Sequence, residues 1–202
     1  MARPSSSEET RDSLLLKVSK GDSDSWSEFV SLYEPLLLSY VLNQGLPRHD
    51  ANDVVQDVFI KLFRTLPNFK LDRQRGRFRT WLWQVTSTTV VDWWRKETKG
   101  DRIEQAARER LRTLSNPGKE PDAEWDQSYR QRVLDFVLEQ VREKSQPRTW
   151  ACFEQHVLEG RPSAEVGKEL DLSPNSVNVN ASRVLARVRE LCLYYQEELP
   201  DE

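Results

Sequence analysis

Between Phe69 and Trp83 the chain alternates cations with aromatic rings. Lys70, Arg73, Arg75, Arg77 and Arg79 supply positive charge, and Phe69, Phe78, Trp81 and Trp83 supply flat faces. Binding a single nucleic-acid strand needs both, cations along the phosphates and rings on which bases stack. Stacking is worth about 1–3 kcal/mol per base, comparable with the few kcal/mol that pulling a base out of a duplex costs. A few such rings would hold bases that breathing of a duplex exposes. The competing use of each tryptophan is core packing, and for Trp81 taken alone that use is favoured; the cluster as a whole points to nucleic acid. On a helix starting near Phe78, Trp81, Val85, Thr88, Val91 or Asp92, and Arg95 lie along one stripe, while Trp83, Trp93 and Trp94 add aromatic surface elsewhere.

A second group lies near the C-terminus. A short helix from about Ser163 to Leu170, the turn Asp171-Leu172-Ser173-Pro174 and a longer amphipathic helix have the layout of a helix-turn-helix, whose second helix can lie in a DNA major groove. Ser173 suits the cap and Pro174 the first helical position. The outward residues are Asn175, Ser176, Asn178, Val179 and Asn180, followed by Arg183 and Arg187. Asn amides hydrogen-bond base edges, adenine above all, and Arg holds guanine or phosphate. An ordinary packed hairpin would show the same pattern, and Arg183 has an alternative partner in Glu165.

A third group, Asp53, Gln56 and Asp57 with Ile60, sits on the polar side of an amphipathic helix. It reads either as a solvated face or as a protein interface with apolar anchors and a polar edge, suited to a basic partner. No nucleophile–base pairing, glycine-rich phosphate loop or metal-ligand spacing occurs. The 7 glycines are scattered. His49 and His156 have no neighbouring ligand cluster. Neither an enzyme nor a cofactor or metal is expected. Cys152 and Cys192 read as free thiols inside helices, as in a reducing cytoplasm.

Composition agrees with small helical domains carrying much solvated surface: of 202 residues, 37% are hydrophobic and 31% charged. The net charge of −3 excludes a uniformly basic nucleic-acid coat. Charge is local instead. Residues 70–99 hold 8 Lys/Arg against 3 Asp/Glu, a net of +5, whereas residues 1–69 hold 7 against 10, a net of −3. No apolar run approaches the roughly 20 residues that span a bilayer, and the N-terminus lacks a signal core, so a soluble cytoplasmic protein is expected.

The elements that must position these groups are all helical. Residues 1–10 read as disordered. A first helix through Leu14, Leu15 and Val18, capped by Thr10 or Asp12, stops at Gly21-Asp22. A second, from Ser25 to about Leu42, carries Trp26, Phe29, Val30, Tyr33, Leu37 and Tyr40 at helical spacing. A third starts at Asp50 as N-cap and turns Val54, Val55, Val58, Phe59, Leu62, Phe63 and Leu66 inward, closing at Pro67. A polar loop runs from 68 to 77, and a fourth helix from Phe78 to Glu97. Residues 98–124 read as a linker with a breaker cluster at Ser115–Pro121 and a possible charged helix over 101–114. Residues 125–202 read as four helices: Trp125, Tyr129, Val133, Phe136 and Val137 mark the first, and Trp150, Phe153 and Val157, stopped by Gly160, the second. Val177, Ala181, Val184, Val188, Leu191 and Tyr195 mark the last.

Taken together, DANDVVQDVFIKLF, FRTWLWQVTSTTVVDWWRK, a linker and a C-terminal helix-turn-helix resemble the bacterial extracytoplasmic-function (ECF) sigma factors, small two-domain members of the sigma-70 class. The resemblance runs from about Leu14 to Leu191. It implies that residues 11–97 form a region 2-like domain and 125–202 a region 4-like domain. It further implies that Asp53, Gln56, Asp57 and Ile60 dock on the beta-prime clamp helices of core RNA polymerase, and that the beta flap is a further contact. Arg73, Arg75, Phe78, Trp81, Trp83, Thr88, Arg95 and Lys96 would meet the promoter −10 element, with residues 72–78 capturing a flipped base. The helix from Pro174 would meet the −35 element through Asn175, Ser176, Asn178, Val179, Asn180, Arg183 and Arg187. An anti-sigma factor is a further implied partner.

The chain departs from the family pattern at three places. Thr88 replaces a usual Asn at the base-pocket wall, and Asn178 and Asn180 replace usual cations. Ser163-Ala164-Glu165-Val166-Gly167 replaces a Tyr-x-Glu-Ile-Ala run. Fewer cations imply a shallower salt dependence of DNA binding. Two other functions fit the residues: a stand-alone helix-turn-helix regulator that needs no polymerase, and a single-strand nucleic-acid-binding module.

Overall fold

Helices make up the regular structure of the computed structural model, which describes residues 14–68, 78–97 and 121–196. The chain divides into two compact units, Met1–Trp125 and Asp126–Glu202.

In the first unit, α1 (Leu14–Ser19) buries Leu14, Leu15 and Val18. Gly21 then takes a left-handed conformation, φ 84°, which glycine adopts without steric cost. Asp22 follows as a true cap, its carboxylate accepting from the Ser25 amide at 2.7 Å. Hydrogen bonding from the Ser25 hydroxyl, and then from its amide, holds the Asp22 carboxyl below its ordinary value. Helix α2 (Ser23–Asn43) therefore starts two residues before the predicted Ser25. It buries Phe29, Leu32, Tyr33, Leu36, Leu37 and Val41, and runs through Pro35 without ending.

Helix α3 (Arg48–Thr65) does not use Asp50 as its N-cap. Pro47 holds that position with no side-chain hydrogen bond, and Asp50 falls in the first turn. There its negative charge still complements the helix dipole. Ala51, Val54, Val55, Val58 and Leu62 are buried. Phe63, predicted to face inward, is 61% exposed. A 3₁₀ turn (Leu66–Asn68) ends this segment.

Helix α4 (Phe78–Glu97) packs an unusual face. Thr86, Ser87 and Thr89 are buried beside Phe78, Leu82, Trp83, Val90 and Val91. A buried hydroxyl is costly unless it is hydrogen-bonded. Each of the three donates into its own helix: Thr86 to Leu82 O at 2.7 Å, Ser87 to Gln84 O at 3.2 Å and Thr89 to Val85 O at 2.7 Å. Small back-bonded hydroxyls let α4 lie close against its neighbours without orphaned polar atoms. Phe78 fills the centre, 6.0 Å from Phe29 and 5.7 Å from Tyr33 between ring centroids.

Helix α5 (Ala123–Lys144) opens in the first unit. Asp122 accepts from the Trp125 amide at 2.9 Å. Trp125, predicted to begin the C-terminal core, packs edge-on against Tyr40 at 5.1 Å instead. In the second unit α5 contributes Tyr129, Val133, Phe136, Val137 and Val141 to the core. Helix α6 (Pro147–Phe153) passes into a π-turn, Glu154–Leu158. A π-turn inserts an extra residue into the helical repeat. Val157, predicted on the buried stripe, is accordingly 39% exposed. Gly160, φ 72°, ends the segment.

Helix α7 (Ser163–Leu170) and α8 (Pro174–Gln196) follow the predicted pattern. Asp171 takes a left-handed conformation, φ 52°, and Leu172 N–H donates to Gly167 O at 2.8 Å. Arg148 donates to the carbonyls of Leu170 and Asp171, which helix α7 leaves open at its end. Arg161 and Glu169 form a forked ion pair, which holds the Glu169 carboxyl low and the Arg161 guanidinium high. Val166, Val177 and Cys152 form the buried centre of this corner, with Leu170 and Leu172 against it.

Candidate nucleic-acid interface

The polar face of α3 is open. Asp53, Gln56 and Asp57 are exposed, and Ile60 is 47% exposed. Phe63 extends the apolar part of this surface and leans edge-on against the half-buried Trp26 at 5.2 Å. The sequence pattern missed Phe63 because seven apolar residues cannot share one stripe of a helix. The excess over an arc of about 100° was the available signal.

On α4 the predicted residues separate by burial. Trp81 and Val85 are half-buried, and Thr88, Arg95 and Lys96 are exposed, so the stripe through Trp81, Val85, Thr88, Asp92 and Arg95 faces outward. Phe78 and Trp83 do not join it. They are 3% and 4% exposed, so neither offers a ring for a base in this structure. Phe78 is held in the aromatic centre with Phe29 and Tyr33, and Trp83 lies beside the Tyr40 hydroxyl. Trp81 rests on Phe78 at 5.7 Å and presents its remaining surface to solvent. Trp93 and Trp94, half-buried and edge-on at 4.9 Å, add aromatic surface further along. Thr88 donates its hydroxyl to Gln84 O at 2.7 Å, which leaves a methyl and acceptor lone pairs outward. Arg73 and Arg75 lie outside the described residues.

The two faces are joined by a residue that the sequence reading did not single out. Lys61 of α3 donates to Thr89 Oγ1 at 3.0 Å and to Asp92 Oδ2 at 3.4 Å.

On α8, Asn175, Asn178, Val179, Arg183 and Arg187 are exposed at or after the start of the helix. Ser176 belongs to the cap: its amide donates to Ser173 Oγ at 3.1 Å, and the two hydroxyls lie 2.8 Å apart. Asn180, predicted outward, is half-buried, with its amide nitrogen 3.8 Å from Cys152 Sγ. Arg187 pairs with Glu190 at 2.7 Å. The alternative pairing of Arg183 with Glu165 is not found among the described residues. Among them there is also no group of three or more His, Cys, Asp and Glu that could hold a metal, and no helix long and apolar enough to cross a membrane. Cys152 is a buried free thiol, and burial raises the half-buried Cys192 thiol above its usual range.

Residues 29–100, which take in most of α2 and all of α3 and α4, match the family model of Sigma-70 region 2. The ECF RNA polymerase sigma factor SigE of Mycolicibacterium smegmatis is 25% identical over 174 residues, 86% of this chain and 64% of that relative. The ECF RNA polymerase sigma-E factor of Escherichia coli K12 is 34% identical over 88 residues, 43% of this chain and 44% of the relative. The chain is thus similar to ECF sigma factors, and its residues 29–100 to sigma-70 region 2.

SigW of Bacillus subtilis is a further ECF relative, 27% identical over 81 residues, 40% of this chain and 42% of its own length. Matches to these three relatives thus span from 42% to 64% of their length. The solved structure of CnrH in complex with the cytosolic domain of CnrY is 20% identical, covering 88% of this chain and 94% of that one. Its TM-score of 0.37 is too low for placing residues. Within the sigma-70 region 2 match, α3 carries the exposed acidic face and α4 the outward aromatic and basic stripe.

Proposed function

We propose that the protein is a promoter-recognition subunit of bacterial RNA polymerase, acting in the cytoplasm without covalent chemistry. The observation that carries the reading is the pairing, inside the region 2 match, of two open faces of opposite character. Asp53, Gln56, Asp57 and Ile60 on α3 dock on the beta-prime clamp of core polymerase. On α4, Trp81, Thr88, Arg95 and Lys96, with Arg73 and Arg75 from the preceding segment, hold the −10 element as separated bases. The α7–α8 pair acts as a helix-turn-helix on duplex −35 DNA, with the beta flap of polymerase as a second protein contact. Neither DNA contact need be tight alone, because tethering raises the effective concentration of the second. Exposed Ile60 and Phe63 suit occlusion by an anti-sigma partner.

Permanganate reactivity of unpaired thymines tests this reading, on DNA selected from a random pool by core polymerase and the protein. Opening that needs both components, and that Trp81→Ala reduces more than it reduces duplex −35 binding, is the expected result. Equal loss of both activities in a folded Trp81→Ala variant contradicts the assignment of α4. Duplex binding unaffected by polymerase, without opening, would instead make the protein a stand-alone regulator.

A further inference from the structure

Asp92 is the only acidic residue between Phe78 and Lys96, and it lies on the outward stripe of α4 with Trp81, Val85, Thr88 and Arg95. A carboxylate there would repel a phosphate backbone. It is not left alone. Lys61 reaches across from α3 to Asp92 Oδ2 at 3.4 Å, and Arg95 stands 3.7 Å from Asp92 Oδ1. Lys61 also donates to Thr89 Oγ1 at 3.0 Å, and Thr89 spends its own proton on Val85 O. The hydroxyl is thereby fixed as an acceptor for the ammonium group. The other charged groups lining the dent between the helices are Asp57 and Arg64 of α3, and Arg95 and Lys96 of α4.

We propose that Lys61 is a positioning residue for DNA. It cancels the one negative charge on the strand-facing stripe of α4 and ties that stripe to the helix that docks on polymerase. The role rests on the function proposed above. Lys61 itself need not touch DNA. Its ammonium group is committed to Thr89 and Asp92, and Lys96, with Arg95 on the far side of Asp92, faces the phosphates.

The test is equilibrium binding of labelled forked DNA, selected with the wild-type holoenzyme, to holoenzymes carrying Lys61→Met, Asp92→Asn or both. Lys61→Met weakens binding about fivefold, the factor for one unit charge a few ångströms from another in high-dielectric surroundings. Asp92→Asn in the same chain restores it, and so does Lys61→Arg in place of Met. The Lys61→Met deficit narrows as salt rises, because the screening length falls from about 10 Å at 0.1 M towards about 3 Å at 1 M. A loss caused only by local unfolding would show neither the rescue nor the narrowing. If Lys61→Met and the double variant are equally impaired, Lys61 touches phosphate itself or is purely structural, and the proposal falls while the sigma reading stands. If wild-type protein confers no DNA binding on core polymerase, the sigma reading falls and takes this role with it.

Discussion

Trp125 and Tyr40, 85 positions apart in the chain, meet edge-on with ring centroids 5.1 Å apart, and the Trp125 indole N–H donates to Arg79 O at 3.2 Å. The first turn of α5 is thus part of the N-terminal core. Trp125→Ala should destabilise that unit by about 3–5 kcal/mol, the usual cost of truncating a buried tryptophan. Trp125→Phe, which keeps a ring but loses the indole hydrogen bond to Arg79 O, should cost less, about 0.5–1.5 kcal/mol for that bond. Hydrogen exchange along the full chain checks this: protection should fall in α2 and α4. A loss confined to residues 126–196 contradicts it.

Burial, reinforced by the negative charge of Asp122, pushes the Tyr40 phenol well above the ordinary tyrosine range, against a smaller opposing contact from Trp83. A folded-state value above the unfolded one stabilises fully below the unfolded value, about 10 for tyrosine, and is lost as pH rises beyond it. Stability of the N-terminal unit should therefore fall above about pH 10 more steeply in wild type than in Tyr40→Phe. Denaturant unfolding of both across that range is the measurement, and parallel curves would refute the expectation.

Gly167 distinguishes a tertiary from a local effect. Gly→Ala inside a helix normally gains about 1 kcal/mol. Here a Cβ would stand 2.6 Å from the backbone carbonyl of Leu172, which cannot swing aside as a side chain would. Gly167→Ala should destabilise by about 1–3 kcal/mol, as overpacking does, and weaken duplex binding by shifting α8. A raised unfolding midpoint would show that the turn gives way freely.

On α8, Arg183 and Asn178 should fail differently. Arg183→Ala should weaken binding to all sequences and lower the salt slope by about 1, as loss of one phosphate contact does. Asn178→Ala should leave the slope unchanged and relax preference at one base position, costing about 1–3 kcal/mol of discrimination. Binding curves on selected and scrambled duplexes at several salt concentrations separate the two. A base-specific loss at Arg183 would reverse the roles.

Legibility tracked how well apolar spacing reports packing. In α8, Val177, Ala181, Val184, Val188 and Tyr195 are buried as their spacing requires. Helix α2 was readable through Pro35 because the residues around it are apolar at helical intervals and the proline faces out. Helix α4 was hard for the opposite reason. Its core face uses Thr86, Ser87 and Thr89, so hydropathy could not say which tryptophans turn inward, and Trp83 and Phe78 looked as available as Trp81. Val157 was misplaced by a π-turn that periodicity cannot foresee. Asn180 was misplaced because a polar residue can be half-buried when a soft neighbour such as Cys152 lies opposite. The Lys61–Asp92 contact joins residues 31 positions apart on different helices, and no local pattern encodes it.

Immobilised protein challenged with purified bacterial core polymerase tests the proposed grip of the α3 face most directly. Wild-type protein should retain core polymerase, and a folded Gln56→Ala/Asp57→Ala variant should lose most of that retention. No retention by wild type, or equal retention by the double variant, would contradict that grip.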